Sequence, residues 1–564
     1  MEEKGNGKYE VIDGQQRLTT FYLFVLSLYC VLSERNLWKN DDERITFKTT
    51  FLAGIDGTPK LTLGNINRDF FKDLIDKVLS EGCSYIREIS PPHENTNRKI
   101  LKCLKFFYEE LGKKDDKELR DIKDFLLSQD YSKCLFLVKF IVNDEKTAIK
   151  IFEVINDRGL PLSYVDKLKS HLMFVVENEK LSLASNLRNY INDKFGEFFK
   201  YFDLIKSKGE DLRITYIKRD LREDDLLVYL YHYLARWTIN KYGLGNKIGY
   251  NYDANREYIW TDFFLKTIDI LRSRKNDLEE FIKNAVDDLS GLTESFYKLL
   301  DEVKCNGESY NKFLFKFLVF LQPNVKTWHL LVSAKYKGFL DINLLRLIES
   351  MDVRAYKVIN TNRRKHFYEN IISELKDKDN FPKNALCNVL KEYGNDIDFE
   401  NRLKGYMYDN EATKYILWEL NNTQEIINFA QVLNINISNQ AIHFNDCDVE
   451  LYEELQKEHV IARNVGEDFK RKCFKDEAEF NEYINKLGNL TLLKEKENKD
   501  CSNEIPINKA QRCYSNSSVP YTKYILSEYI TKNNFGKNDI DKLTNLIIDF
   551  CKRRFPICNK GASQ

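Results

Sequence analysis

The spacing of apolar residues changes once within the first forty positions. Residues 8–12 alternate between apolar and polar side chains, which is typical of a short β-strand. After them, apolar side chains recur every three or four positions, as on one face of a long helix, at Leu18, Phe21, Val25, Leu28 and Leu32. The two patterns meet in the stretch VIDGQQRLTT, and we therefore predict a strand-to-helix corner at residues 13–17.

Later segments show similar changes of pattern. The β-rich run CLFLVKFIV, residues 134–142, precedes a predicted helix at residues 144–159. A second helix is predicted to begin after Ser163, whose side chain is suited to cap it. The stretch LTLL, residues 490–493, has the pattern of a strand, and residues 181–400 are predicted to form a series of amphipathic helices.

Composition narrows the class of protein. The 564 residues predict several domains, and 43% hydrophobic content with 9 prolines favours a folded, helix-rich chain. The 87 basic residues balance the 87 acidic ones, so a nucleic-acid surface must be a local patch. The 12 cysteines show no CxxC spacing, and we expect reduced thiols. Because we find no signal sequence or membrane-spanning pattern, we expect a cytoplasmic protein without a membrane partner.

The predicted corner has side chains suited to a nucleotide phosphate. Gly14 permits a tight turn, and the free amides at the start of a helix favour a bound anion. Arg17 could contact a phosphate with two hydrogen bonds, and Asp13 could hold a metal ion or a ribose hydroxyl. The residues alone leave an alternative open, in which Asp13 caps the helix and Gln15, Gln16 and Arg17 form a solvated first turn.

A second polar cluster lies where the predicted helix at residues 144–159 ends. The stretch FEVINDRG gathers Glu153, Asn156, Asp157 and Arg158 near one corner. The alternative is that Asn156 and Asp157 only end the helix, while the charged residues form surface ion pairs.

The C-terminal third contains the side chains of a one-metal nuclease. Neutral His459 could take a proton from a water that attacks a phosphodiester, and Asn489 could orient the loop that carries His459. An ion that prefers oxygen ligands could be held by Glu458 and Asn498. Each residue is nonspecific by itself, because a lone His is usually structural and Asn is common in turns.

The first two segments carry a resemblance. VIDGQQRLTT followed by FEVINDRGLPLSYVDKLKSHLM resembles the DGQQR nucleotidase domain of GmrSD-type modification-dependent restriction proteins. The resemblance implies a ParB and sulfiredoxin-like fold that binds and hydrolyses a nucleoside triphosphate. It nominates as nucleotide-binding residues Asp13, Gly14, Gln15, Gln16, Arg17, Asn156 and Arg158. Family members usually carry an upstream Tyr-Gln-Arg motif, which does not occur here, so we expect a shortened start and either a differently completed site or weaker turnover.

The C-terminal motifs resemble the HNH nuclease domain of the same family. EHVIARN, LGNLTLL and the spacing of Asn498, Asn503 and Lys509 agree with it in order and distance. The resemblance implies a ββα-metal fold in which His459 is the general base and Asn489 supports it. Glu458 and Asn498 would then hold Mg²⁺ or Mn²⁺, and Asn503 is either a further ligand or the start of the next helix. Ala462 stands where the family commonly has proline.

Together these observations predict an α+β, predominantly α-helical protein. We expect a ParB-like nucleotidase domain at residues 1–180, a helical connector at 181–400 and an HNH nuclease domain at 401–564. The expected function is anti-phage restriction of foreign, modified DNA, with nucleotide binding coupled to nuclease licensing, and homo-oligomers are compatible with it. The alternatives are a nucleotide-gated regulatory protein with an inactive nuclease and an RNA-directed toxin nuclease.

Overall fold

The structure is a computed structural model, and helices predominate in it. It describes residues 2–3, 9–11, 15–63, 68–82, 84–90, 95–128, 130, 162–181, 184–306, 308–361, 366–437 and 442–558. Strands are few among these residues, which confirms the prediction of an α-rich chain. The chain divides into two compact units, residues 1–211 with 217–297 and residues 212–216 with 298–564. The predicted connector is shared between the units, and the boundaries at 180 and 400 stay predictions.

The first unit contains a short antiparallel strand pair followed by helices. Strand β1 (Glu2–Glu3) pairs with strand β2 (Tyr9–Glu10), which lies within the predicted strand. Its described α-helices are Gln15–Glu34, Asp41–Phe51, Arg68–Glu81, Ser84–Glu88, Asn95–Gly112, Asp116–Leu127, Tyr164–Asn178, Ala184–Asp211, Asp225–Lys241, Arg256–Tyr258, Lys266–Leu271 and Lys275–Asp301, the last of which continues into the second unit. π-helical turns occur at Tyr216–Asp220 and Ile259–Leu265.

The helix Gln15–Glu34 is the centre of the core of the first unit, and it follows the predicted helical pattern. It packs on the helix Asn95–Gly112, where Ser27 Oγ donates a hydrogen bond to the carbonyl of Leu104 at 3.1 Å. Among the described residues, this helix is long and apolar enough to cross a membrane by length and composition, yet half of its apolar window is buried in the protein. Packing in a core explains its apolar face.

Local capping fixes the start of the helix Tyr164–Asn178. Ser163 is its N-cap, as predicted: its Oγ accepts a hydrogen bond from Asp166 N at 3.0 Å and donates one to Asp166 Oδ2 at 2.7 Å. The side chain thus satisfies an amide that the helix itself leaves without a partner. The preceding helix predicted at residues 144–159 lies outside the described residues.

The second unit contains the second strand pair, β3 (Leu455–His459) and β4 (Leu490–Lys494). Its described α-helices, apart from the end of Lys275–Asp301, are Ser309–Phe315, Val325–Tyr336, Ile342–Met351, Phe367–Leu375, Lys383–Tyr393, Asp396–Leu403, Thr413–Glu419, Thr423–Leu433, Val449–Glu454, Glu467–Cys473, Glu477–Tyr483, Glu495–Cys501, Pro506–Arg512, Ser527–Lys532 and Lys537–Arg554. Short π and 3₁₀ segments occur at Lys316–Leu321, Asp352–Val358, Leu487–Asn489, Tyr514–Asn516 and Tyr521–Leu526.

Two disulfides lie in the second unit. They join Cys387 to Cys558 and Cys501 to Cys513. The expectation of reduced thiols was therefore wrong for these four cysteines. The first pair is separated by 171 residues, a distance at which cysteine spacing in the sequence carries no information about pairing.

Candidate active site

Strands β3 and β4 form the frame of the candidate site. They are antiparallel, with His459 opposite Leu490 and Glu458 opposite Thr491. The helix Glu495–Cys501 follows β4 and packs against both strands. Because successive side chains of a strand point to opposite faces, Glu458 and His459 lie on opposite faces of β3 although they are adjacent in sequence.

Gly488 allows the turn before β4 to approach the helix Lys537–Arg554 closely. Its amide donates a hydrogen bond to Thr544 Oγ1 at 2.9 Å. A Cβ atom at this position would lie 2.1 Å from the backbone carbonyl oxygen of Ile540, which cannot move as a side chain could. The close approach therefore requires glycine here, and it sets the position of the neighbouring Asn489.

Asn489 ties this turn to the segment that follows His459. Its Oδ1 accepts a hydrogen bond from Ile461 N at 2.8 Å, and its Nδ2 donates to Ile461 O at 3.1 Å and to Ile484 O at 2.8 Å. Its own carbonyl accepts a hydrogen bond from Val460 N at 2.8 Å. The side chain is completely buried. These bonds fix the backbone directly after His459, and the catalytic role of Asn489 stays a prediction.

His459 is buried at the end of β3 between an aromatic ring and an amide. Its ring stacks on Tyr408, with centroids 4.4 Å apart and planes 16° apart. Its Nε2 lies 3.0 Å from Asn485 Oδ1. Burial lowers the pKa of His459 to about 4, and the positive charge of Arg463 acts in the same direction, while the Asn485 hydrogen bond opposes them. The imidazole is therefore neutral at neutral pH.

Glu458 forms a buried ion pair with Lys509 on the other face of the strand. Lys509 Nζ contacts Glu458 Oε1 and also donates a hydrogen bond to the carbonyl of His459 at 2.7 Å. The Glu458 side chain is 9% exposed, and the Lys509 side chain is 0% exposed. Burial raises the pKa of Glu458 and lowers the pKa of Lys509, so each charge depends on the other.

The remaining predicted metal ligands lie closer to the surface. Asn498 is half-buried, and its Nδ2 lies 3.4 Å from Oε1 of Gln456, a residue on the same face of β3 as Glu458. Asn503 is exposed in the turn after the helix that carries Asn498, and it does not begin the next helix. In the described part of the chain, no group of three or more His, Cys, Asp or Glu side chains is placed to hold a metal ion.

A polar cleft of about 420 Å³ opens beside Asn485. Its lining includes Arg463, Asn464 and Lys470, together with Tyr406. Arg463 joins this cleft to the histidine, because its Nη2 donates a hydrogen bond at 3.2 Å to the same Asn485 oxygen that faces His459.

The N-terminal corner is described only in part. Gln15, Gln16 and Arg17 are exposed in the first turn of the helix Gln15–Glu34, and Gln15 Nε2 donates a hydrogen bond to Val11 O at 2.6 Å. The other predicted members of the nucleotide site lie outside the described residues, namely Asp13, Gly14, Asn156 and Arg158.

Three residues around His459 were not predicted from the sequence. Tyr408 is 51 positions before it and Asn485 is 26 positions after it, and no local pattern marks either one. Lys509 belongs to the motif spacing, but only the structure shows its contact with Glu458.

Two models of known protein domains match the chain, one over the N-terminal corner and one over the candidate site around His459. The model of the GmrSD restriction endonuclease N-terminal domain matches residues 1–173, and that of the GmrSD restriction endonuclease C-terminal domain matches residues 393–550. The two matches together cover more than half of the chain. No curated protein and no solved structure matches the sequence. On the two domain matches, the chain belongs to the family of GmrSD restriction endonucleases.

Proposed function

We propose that this restriction endonuclease is an Mg²⁺-dependent HNH-type nuclease that cuts or nicks modified phage DNA in the cytoplasm. Nucleoside triphosphate binding at the DGQQR corner licenses the cut. The observation that supports the nuclease part best is the buried, neutral His459, whose flanking backbone is fixed by Asn489 beside an antiparallel strand pair and a helix. This arrangement is compatible with the ββα-metal fold that the sequence predicts.

His459 is suited to act as a general base on this proposal. A general base must hold no proton before the reaction, and burial, which lowers the pKa of His459 to about 4, meets that condition at neutral pH. The same shift makes the imidazole a weaker base than a free histidine. Its ring is held in place before substrate arrives, because Tyr408 and Asn485 both contact it. Pre-set orientation of this kind saves entropy at the moment of proton transfer.

The donor set fits Mg²⁺ better than a softer metal. Mg²⁺ usually binds through one or two carboxylates, with water and substrate phosphate oxygens completing its shell. Glu458 is the proposed carboxylate ligand, although it is 9% exposed and its Oε1 contacts Lys509. Asn498 would supply an amide oxygen near the same strand face. Because Glu458 and the ring of His459 lie on opposite faces of β3, a phosphate on which both act would have to pass the end of the strand, where an Mg²⁺ would stabilise its negative charge. Asn503 stays a proposed ligand from its exposed turn.

The polar cleft gives DNA an approach to the histidine. Arg463 and Lys470 place positive charge in it, although Lys470 pairs with Glu467 and Glu477, and Arg463 is the cation we propose to contact a phosphate. This local charge is compatible with a chain that is neutral overall.

The nucleotide part of the proposal rests on the start of a long helix. Gln15, Gln16 and Arg17 are exposed at the N-terminal end of a 20-residue helix, where backbone amides and the helix dipole favour an anion. The ParB-like fold and the contributions of Asp13, Gly14, Asn156 and Arg158 are part of this proposal.

The nuclease part is tested by cleavage of modified and unmodified phage DNA with Mg²⁺, with and without nucleoside triphosphate. His459→Ala should abolish cleavage, since a general base contributes roughly a hundredfold or more to the rate. His443→Ala is the matched control, because His443 is exposed elsewhere in the second unit. Cleavage that persists in the purified His459 variant refutes the mechanism, and cutting confined to RNA supports the toxin alternative.

The nucleotide part is tested separately by calorimetric titration. Arg17→Ala should weaken nucleoside triphosphate binding by about 1 to 3 kcal/mol, the range of a charge-assisted hydrogen bond, and leave the fold intact. Equal affinity in the parent and the variant argues against the assignment of Arg17. A parent that binds nucleotide and cuts no DNA supports the regulatory alternative.

A further inference from the structure

Three segments that are distant in sequence meet at the ring of His459. Tyr408 stacks on the ring, and Asn485 Oδ1 lies 3.0 Å from its Nε2. The two contacting segments are also joined to each other, because Met407 N donates a hydrogen bond to the carbonyl of Asn485 at 2.9 Å. The ring is therefore held by a connected structure and not by two independent side chains.

Arg463 decides which atom of the Asn485 amide faces the histidine. Its Nη2 donates to Asn485 Oδ1 at 3.2 Å, and its guanidinium carbon lies 4.5 Å from the centroid of the Tyr408 ring. A guanidinium has no acceptor atom, so an amide NH₂ in this place would face a donor. The hydrogen-bond pattern thus keeps the Asn485 oxygen toward both Arg463 and His459.

An oxygen that accepts from both neighbours fixes the tautomer of the imidazole. Asn485 Oδ1 can only accept, so Nε2 of His459 must carry the hydrogen that is donated to it. In a neutral imidazole, one nitrogen is protonated and the other has a free lone pair. Nδ1 is therefore the nitrogen that can accept a proton, and the described residues form no hydrogen bond to it.

We propose that Asn485 is a positioning residue of the nuclease, which holds His459 as the Nε2–H tautomer so that Nδ1 takes the proton from the attacking water. Tyr408 sets the plane of the ring, and Arg463 keeps the amide of Asn485 in the required orientation. The inference rests on the proposed function of His459 as general base. In the step itself, the water O–H bond breaks, its proton moves to Nδ1, and the water oxygen forms a bond to phosphorus. The bond from phosphorus to the leaving sugar oxygen breaks, and that oxygen takes a proton from solvent water.

The tautomer can be measured without any nuclease activity. The full chain is labelled with ¹⁵N-histidine, and the signals of His459 are identified by their loss in His459→Ala. In the parent protein we expect the nitrogen shifts and couplings of the Nε2–H tautomer. In Asn485→Ala we expect a mixture of both tautomers, because no acceptor remains at Nε2. An Nδ1–H tautomer in the parent overturns the inference, and so does an unchanged tautomer in Asn485→Ala.

Kinetics then link the tautomer to catalysis. Asn485→Ala should lower kcat by about tenfold to a hundredfold with a much smaller change in KM, because the substrate still binds while the base is misplaced. Asn428→Ala is the matched control, since Asn428 is a half-buried amide on the helix Thr423–Leu433 that accepts a hydrogen bond from Gln424. A full kcat in Asn485→Ala overturns the inference. If the parent cuts no DNA, the proposed function fails and the catalytic role of Asn485 fails with it, whereas a cutting parent with an Nδ1–H tautomer overturns the inference alone.

Discussion

The ion pair of Lys509 and Glu458 gives the sharpest stability prediction. Lys509→Met keeps most of the length and apolar stem of the side chain but removes its charge. The Glu458 side chain, which is only 9% exposed, then carries a buried negative charge without a cation beside it. Removing one partner of a buried pair costs about 3 to 5 kcal/mol. The carbonyl of His459 also loses the 2.7 Å hydrogen bond from Lys509, which adds roughly 1 kcal/mol. In a unit of this size, such a loss lowers the melting temperature by on the order of 10 °C.

The loss of unfolding free energy caused by Lys509→Met, called the deficit below, should grow as the pH rises. Burial already raises the pKa of Glu458 above its ordinary 4.5 with Lys509 present, and loss of the cation raises it further. A raised pKa in the folded state favours folding while the carboxyl is protonated, and this contribution is lost as pH rises through that pKa. We therefore expect a small deficit near pH 4.5 and the full deficit well above the raised pKa.

The assay measures thermal unfolding of the parent and the variant by calorimetry at several pH values. Lys499→Met is the control, because Lys499 pairs with Glu495 on the surface, where an ion pair contributes about 1 kcal/mol at most. The double variant Lys509→Met with Glu458→Gln should recover most of the loss, since it leaves no buried charge. A deficit of Lys509→Met that is below about 1 kcal/mol or equal at all pH values refutes the reasoning.

Three further predictions concern the site. Because the pKa of His459 is about 4, the cleavage rate should stay constant as the pH is lowered to about 5 and should fall toward pH 4. A fall in rate whose midpoint is near pH 6.5 contradicts a buried base. Asn489→Ala leaves polar atoms of Ile461 and Ile484 without partners and should cost roughly 3 kcal/mol in calorimetry; an unchanged melting temperature contradicts this. Asn498→Ala should raise the Mg²⁺ concentration that gives half-maximal cleavage, so excess metal restores part of the rate, and a rate loss that Mg²⁺ cannot restore argues against Asn498 as a ligand.

Local patterns in the sequence predicted the elements that depend on local interactions. The helix that begins at Gln15 follows from its apolar spacing, and the cap at Ser163 follows from a side chain suited to the start of a helix. The strand at residues 490–494 was likewise visible as an apolar run after a turn. Each of these elements is determined within one or two turns of chain, so a single sequence contains the information.

Contacts between distant segments could not be predicted in the same way. Tyr408 and Asn485 become neighbours of His459 only when the chain is folded, and Cys387 reaches Cys558 across 171 residues. Side chains of this kind follow no period and have no fixed spacing, since tertiary packing selects them. The side-chain types and the resemblance to a family both indicated His459 and Asn489, but neither identified the residues that hold the ring of His459.

Glu458 and His459 are adjacent in the sequence, but their side chains lie on different faces of the structure. In the sequence, the pair indicates one site in which a carboxylate and a base act together. In the structure, strand alternation sends the two side chains to opposite faces of β3. Lys509 connects these faces, because its ammonium contacts the Glu458 carboxylate and the His459 carbonyl at once. A change at Lys509 therefore acts on the carboxylate through charge and on the base through the backbone, which makes it the residue that couples the two proposed halves of the nuclease site.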